Sequence, residues 1–262
     1  GDGDADVVAA LALSAVGPPE GEPLRVYENV GGGVFSAARA QSGGARYRYV
    51  FDLHVALVDG DAHVDLVLTA LRVGAAYVSG DGTASASAFA RAHTVVHAQS
   101  SASTTNNDLN VAVSGAAGVD GTGARADLAV SDNVANAVRF YRNNGDGTFA
   151  APVALDLPPT VDTAWSWPRG VVLADLHGNA GQDVVVADGL HDVVVAFHWK
   201  AGGYDGTAGD VVFAGSDRTR SCDKCQRPAV RDVNGDGRAD VVAADVDQVR
   251  YKRGAPSGMW TA

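Results

Sequence analysis

The sequence predicts an all-β fold, a β-propeller of four-stranded blades, and three observations predict it. An acidic motif of nine residues returns five times along the 262-residue chain. Each copy leads into a short apolar run, then an alternating segment closed on a glycine turn, which gives four strands per unit. The composition, with 32 glycines, one methionine and Val and Ala prominent among the apolar residues, suits short strands and tight turns rather than helices.

The fullest copy places Asp232, Asn234, Asp236 and Asp240 at alternate or near-alternate positions, with Gly235 and Gly237 between them. Val241 to Ala244 follows at once, Gln248 to Lys252 alternates as a strand should, and Gly254 to Gly258 makes a turn before Trp260. The same order runs from Asp175, His177, Asn179 and Asp183 through Val184 to Val186, Val193 to Trp199 and Gly202 to Gly206. Asp59, Asp61 and Asp65 lead into Leu66 to Leu68, with Ser79 to Thr83 as the later turn. Asp120 to Asp127 leads into Leu128 to Val130, Val138 to Tyr141 and the turn Asn143 to Phe149, with Phe149 to Val153 as the closing strand. The chain opens on Asp2, Asp4 and Asp6 before Val7, then reaches Val26 to Asn29 and Gly31 to Phe35.

The last Asp of each loop falls at 6, 65, 127, 183 and 240, in steps of 59, 62, 56 and 57. The units run 1–50, 51–108, 109–165, 166–226 and 227–262 within one propeller spanning 1–262. Pro18-Pro19, Gln99 to Asn107 and Pro158-Pro159 punctuate that domain and do not divide it. The first unit lacks the strand that should precede its loop and the fifth stops where its last should begin. A segment of a longer array is therefore expected in preference to a closed five-bladed ring.

Asp232 to Asp240, together with Asn143 to Phe149, resembles the FG-GAP/VCBS repeat of integrin α-subunit propellers and of many secreted proteins. The resemblance covers nearly the whole chain and is strongest in the fifth unit. It implies a β-propeller with one calcium per intact loop, used in adhesion, ligand binding or extracellular scaffolding.

Calcium takes six to eight oxygens, and alternating carboxylates in a tight loop supply them. In the fifth loop the ligands expected are Asp232, Asn234, Asp236, the Arg238 carbonyl and Asp240. In the fourth they are Asp175, His177, Asn179, the Gly181 carbonyl and Asp183, with histidine a poor calcium donor. The second loop keeps Asp59, Asp61 and Asp65, but Leu57 stands where the first ligand should be. The first keeps Asp2 and Asp6. Gly121 and Gly123 replace ligands in the third, which is expected to be metal-free. The competing reading of every such loop is an Asx-rich turn satisfied by its own amides.

A net charge of −11 argues against nucleic acid, which needs clustered Lys and Arg, and suits a secreted or cell-surface protein that collects cations. No apolar run is long enough for a membrane helix. Cys222 and Cys225 form a lone Cys-x-x-Cys without flanking zinc ligands, for which a small loop-closing disulfide is the favoured reading. No Gly-x-Ser-x-Gly, phosphate loop or His-Glu-x-x-His appears, so no catalyst is nominated. His93 and His97 are expected on one face of a last strand. For a ligand, Trp165 and Trp167 offer aromatic faces that stack on sugars, against the plainer reading that one plugs an inter-blade gap. Two functions follow: a binding module for an extracellular protein or glycan, or a structural repeat of an extracellular assembly joined to further repeats or subunits.

Overall fold

The computed structural model of the chain describes residues 4–10, 24–41, 47, 49–71, 73–83, 88–89, 93–99, 109–121, 125–159, 161–162, 164–165, 167–179, 181–200, 202–206, 209–214, 227–244 and 249–254. All regular structure among them is β. Strands β1 (Val7–Ala10), β2 (Leu24–Tyr27) and β3 (Arg39–Ala40) form a three-stranded antiparallel sheet in chain order. Three four-stranded antiparallel sheets follow. The second sheet holds β4 (Val50–Ala56), β5 (Asp65–Ala70), β6 (Gly74–Val78) and β7 (His93–Ala98). The third holds β8 (Leu109–Val113), β9 (Leu128–Asp132), β10 (Ala137–Tyr141) and β11 (Val153–Ala154). The fourth holds β12 (Pro168–Ala174), β13 (Asp183–Asp188), β14 (Val193–Phe197) and, beyond the hairpin of β15 (Trp199–Lys200) and β16 (Gly203–Tyr204), β17 (Asp210–Ala214). A fifth, three-stranded sheet holds β18 (Ala229–Arg231), β19 (Asp240–Ala244) and β20 (Val249–Lys252).

Each sheet is one contiguous stretch of chain, and each packs face to face on the next. Leu24 of β2 meets Leu66, Leu68 and Val78. Val67 and Tyr77 on the opposite face meet Leu109, Val111 and Tyr141. Phe140 and Leu155 meet Val184, Val186 and Phe197, and Val185, Val194 and Ala196 meet Val241. A strand with a neighbour on both faces loses the usual in-out alternation. β5, β9 and β13 are accordingly buried at every residue.

Polar contacts join the sheets at matched positions. Four residues past the last Asp of its loop, Thr69 donates its hydroxyl to the carbonyl of Leu109 at 2.7 Å, and Ser131, four past Asp127, does the same to Arg169 at 3.1 Å. The turn of the third unit seats on the second, where Tyr77 donates its hydroxyl to the Gly147 carbonyl. Gly147 has φ +83, and a Cβ there would lie 2.4 Å from that hydroxyl oxygen, so only glycine fits.

The predicted closing strand Phe149 to Val153 differs in detail. Phe149 makes a single bridge to Asn143, and the ladder resumes at Val153 after a one-residue slip in register, since Ala150 N–H bonds the Arg142 carbonyl and Leu155 N–H that of Val138. The predicted strand to Trp199 also breaks at His198. The Trp199 N–H is taken by the Asp183 carboxylate and not by a ladder partner.

The first strands of the second to fifth sheets converge on Arg227, which precedes β18. Its guanidinium donates to Asp52 of β4 at 2.7 Å, to the Val171 carbonyl of β12 at 2.9 Å and to the Val111 carbonyl of β8. Gly170 lets the chains approach, since a Cβ there would lie 2.2 Å from the Arg227 Cα. Burial would raise the Asp52 pKa, but the hydrogen bond and charge of His54 and the charge of Arg227 hold it below the ordinary value. A depressed folded-state pKa gives stability that is full above the unfolded value, about 3.9, and lost as pH falls through the folded one. Arg227→Gln is expected to cost about 1–3 kcal/mol in urea melts at pH 7. That difference from wild type should shrink steadily below pH 4.

Candidate functional site

The last Asp of each loop plays one role in the second to fifth units, and Asp6 keeps half of it in the first. Through one carboxylate oxygen it accepts an amide from the start of its own loop: Val58 at 2.8 Å for Asp65, Val119 at 2.8 Å for Asp127, Leu176 at 3.0 Å for Asp183 and Val233 at 3.0 Å for Asp240. Through the other it accepts the amide just beyond the third strand: Gly80, Asn143, Trp199 and Gly254, at 2.7 to 3.0 Å. Asp6 accepts from Asn29, the same place in the first unit. Asp65, Asp127, Asp183 and Asp240 are buried. Burial lifts the pKa of Asp65 and Asp127. At Asp183 and Asp240 it acts the same way, but hydrogen bonds outweigh it and both are lowered.

The remaining loop acids bend the chain between those two amides. Asp59 accepts the Asp61 N–H, Asp61 that of His63, Asn179 that of Gly181, Asn234 that of Asp236, and Asp236 that of Arg238. Alternating Asx residues each cap the amide two positions on. Asp232 accepts three amides, from Gly235, Asp236 and Gly237, and Asp175 accepts those of His177, Gly178 and Asn179.

Convergence on a common centre follows a different order from the one the motif suggests. Among the described residues, Asp59, Asp61 and Asp65 bring three carboxylate oxygens within 4.8 Å of one another, a donor set that fits a hard cation. Asp232, Asp236 and Asp240 do not gather in this way, being drawn to separate amides and, for Asp236, to Arg253 at 3.2 Å. In the fourth loop the gathered set is His177, Asp183 and His198, without Asp175. The acids of the fifth loop and Asp175 of the fourth thus stand apart from a common centre in this structure. Asp4 and Asp6 are exposed beside the second unit, and Asp2 lies outside the described residues. In the third loop Asp120 is held by Arg142 at 2.5 Å.

His198, one residue past β14, has no motif to announce it. Its Nε2 lies 3.0 Å from Asp210, its Nδ1 is 3.6 Å from Asp183, and its ring stands edge-on to His177 at 4.3 Å. Burial opposes a charge there, but Asp183 and Asp210 outweigh it and hold the imidazole's pKa above its ordinary value.

The residue two before each buried Asp occupies the junction with the preceding unit. Arg125 fills its junction by donating to the carbonyls of Asp59 and Asp61. Gly181 yields to Trp199, which a Cβ would meet at 2.4 Å. The other two junctions stay open. His63 lines a cleft of about 570 Å³ with Asp4, Asp6, Glu28, Thr83 and Phe89, and Arg238 lines one of about 440 Å³ with Asp175 and His177.

The expected aromatic pair separates. Trp165 is buried between the third and fourth sheets against Phe197, with its indole N–H on the Leu155 carbonyl, so it presents no face to a ligand. Trp167 is 40% exposed and carries Arg169 over its ring. His93 and His97 also part, because Val96 is an extra residue in β7 that reverses the side-chain parity. His93 packs on Tyr47, while His97 is buried between Tyr141 at 2.6 Å and Asp132 at 2.9 Å. Burial pushes Tyr141 up to about 12. Cys222 and Cys225 lie outside the described residues.

No protein-family model matches the chain, and no curated protein sequence matches it. The chain is similar in structure to an Agrocybe aegerita lectin described for its specific recognition of non-reducing terminal N-acetylglucosamine, with a TM-score of 0.62 at 20% identity. The match covers 92% of this chain and 60% of that one, so this chain spans less than two thirds of the lectin's length. At that identity the likeness shows a shared fold.

Asp127 isolates the structural role of the buried carboxylate, since its loop gathers no other acids. Asp127→Ala strands the amides of Val119 and Asn143 and is expected to cost about 2–4 kcal/mol by chemical denaturation, with or without calcium. A loss below about 0.5 kcal/mol would remove the clamp from the account.

Proposed function

We propose that the chain is a non-catalytic glycan-binding module, a calcium-stabilised FG-GAP/VCBS-type segment of an extracellular β-propeller. The observation that carries this reading is the open cleft between the first and second sheets. Its lining includes the acids Asp4, Asp6 and Glu28, the imidazole of His63 and the aromatic Phe89, with Glu28 also paired to Arg39 at 2.8 Å. Sugars are bound by that combination, hydroxyls on carboxylates and an apolar ring face on an aromatic. The fold likeness to a lectin supports the choice of a glycan over a protein ligand. Packing of each sheet on the next, with the first strands of the second to fifth sheets meeting at Arg227, supports the propeller.

Calcium belongs to the same reading. Asp59, Asp61 and Asp65 repel one another, and a hard divalent cation between them removes that repulsion and adds stability by mass action. The net charge of −11 suits a secreted or cell-surface protein that collects cations. A structural repeat is the second reading. Exposed apolar side chains on the outermost sheets, Val7, Val34 and Phe35 at one end and Val233, Val249 and Tyr251 at the other, favour contact with further repeats.

A screen of N-acetylglucosamine-terminated and other glycans should give saturable binding that falls at least tenfold in Asp4→Ala and His63→Ala. No binding by the wild type would leave the structural repeat in its place. Calcium should raise the melting temperature by several degrees, and Asp61→Ala should abolish that response. An unchanged melt on chelation in low salt would remove calcium from the proposal.

A further inference from the structure

A second kind of metal chemistry is built into the fourth unit, where the motif led to calcium. His177, Asp183 and His198 come from the acidic loop, the first residue of β13 and the residue after β14, and offer two imidazole nitrogens and one carboxylate oxygen mutually within 4.8 Å. Calcium seeks oxygen, whereas two imidazoles and a carboxylate are the donors of zinc and its first-row neighbours.

Hydrogen bonding around His198 explains why a cation belongs there. Asp210 accepts from Nε2 at 3.0 Å, which fixes the proton on that nitrogen and turns the Nδ1 lone pair inward. That Nδ1 is buried without a hydrogen-bond partner and faces Asp183 Oδ1 at 3.6 Å. A buried imidazole nitrogen and a carboxylate directed at each other hold positive charge between them, either a proton on the imidazole or a metal ion that displaces it. His177 Nδ1 lies on the other side of the same carboxylate, 2.9 Å from Oδ2. A carboxylate behind the far nitrogen of an imidazole is also the outer-sphere arrangement that orients histidine ligands on metals. Tetrahedral zinc with bonds of 2.0–2.1 Å separates its ligand atoms by about 3.3 Å, between the two distances seen here.

Access and rigidity fit as well. The 440 Å³ cleft against the fifth sheet is lined by His177, so an ion and a completing water have a path from solvent. Asp183 is held by the amides of Leu176 and Trp199, which fixes the carboxylate before any ion arrives.

We propose that His177, Asp183 and His198 form a three-ligand site for zinc or a similar transition-metal ion, open to water at a fourth position. The site is separate from the cluster of Asp59, Asp61 and Asp65, and its chemistry does not depend on glycan binding.

The test uses the whole chain with Cys222→Ser and Cys225→Ser, so that the thiols do not compete. Zinc titration by calorimetry should give one site with a dissociation constant below about 10 µM. Cobalt should bind at the same site with visible bands of tetrahedral intensity, displaced by zinc and not by calcium. X-ray absorption of the zinc-loaded protein should show two imidazoles and no sulfur. His198→Ala and His177→Ala should each weaken zinc at least thirtyfold. Should a variant fold poorly, the absorption spectrum of the unsubstituted site decides. Zinc binding weaker than about 1 mM, binding unchanged in His198→Ala, or a zinc shell without two imidazoles would each overturn the proposal.

Discussion

One buried carboxylate in each of the second to fifth units holds this molecule together. Asp65, Asp127, Asp183 and Asp240 each tie the start of an acidic loop to the chain leaving the third strand, with both oxygens engaged. Two amides that would otherwise be buried without partners are satisfied at once, and an unsatisfied buried amide costs about 1–3 kcal/mol. The anion sits at the first residue of β5, β13 and β19 and immediately before β9, so the sheet and its loop are positioned together. The other loop acids are then free to bend the chain, and their oxygens are brought together only where neighbouring contacts allow.

What distinguishes the units is the residue two places before that carboxylate. Arg125 closes its junction by hydrogen bonds to the preceding loop, Gly181 gives way to an indole, and His63 and Arg238 leave clefts. One repeated frame thereby yields four different surfaces. Binding capacity in such an array comes from junctions left unfilled, and each open junction carries the polarity of its own side chains: carboxylates and an aromatic in one, imidazole beside arginine in the other.

The repeat was legible because the clamp tolerates no other residue at its centre. A shorter or neutral side chain does not reach two amides, so Asp recurs at 6, 65, 127, 183 and 240 whatever happens between. The apolar runs after it were legible for a related reason, since a strand packed on both faces must be apolar at every position. The strand ends were not, as a register slip before Val153 and the break at His198 move pairing by a few residues. Trp165 and Trp167 look equivalent in sequence, yet one packs on Phe197 and the other lies at the surface. His198 carried no local signal. It precedes by one residue Trp199, which gives the clamp its second amide, but nothing in that spacing calls for histidine.

The sequence by itself determined the all-β character, the number and order of the acidic loops and the place of each anchoring Asp. These rest on short-range chemistry, strand periodicity and one carboxylate reaching amides that lie at set distances along the chain. Only the tertiary structure decided which acids share a centre, which junctions stay open and which histidines meet. Those outcomes depend on neighbours from other units: Arg125 drawing on the carbonyls of Asp59 and Asp61, an extra residue at Val96 reversing a strand, and Asp210 turning His198 toward Asp183. Side-chain convergence is a property of packed sheets, and linear spacing constrains it only within a single loop.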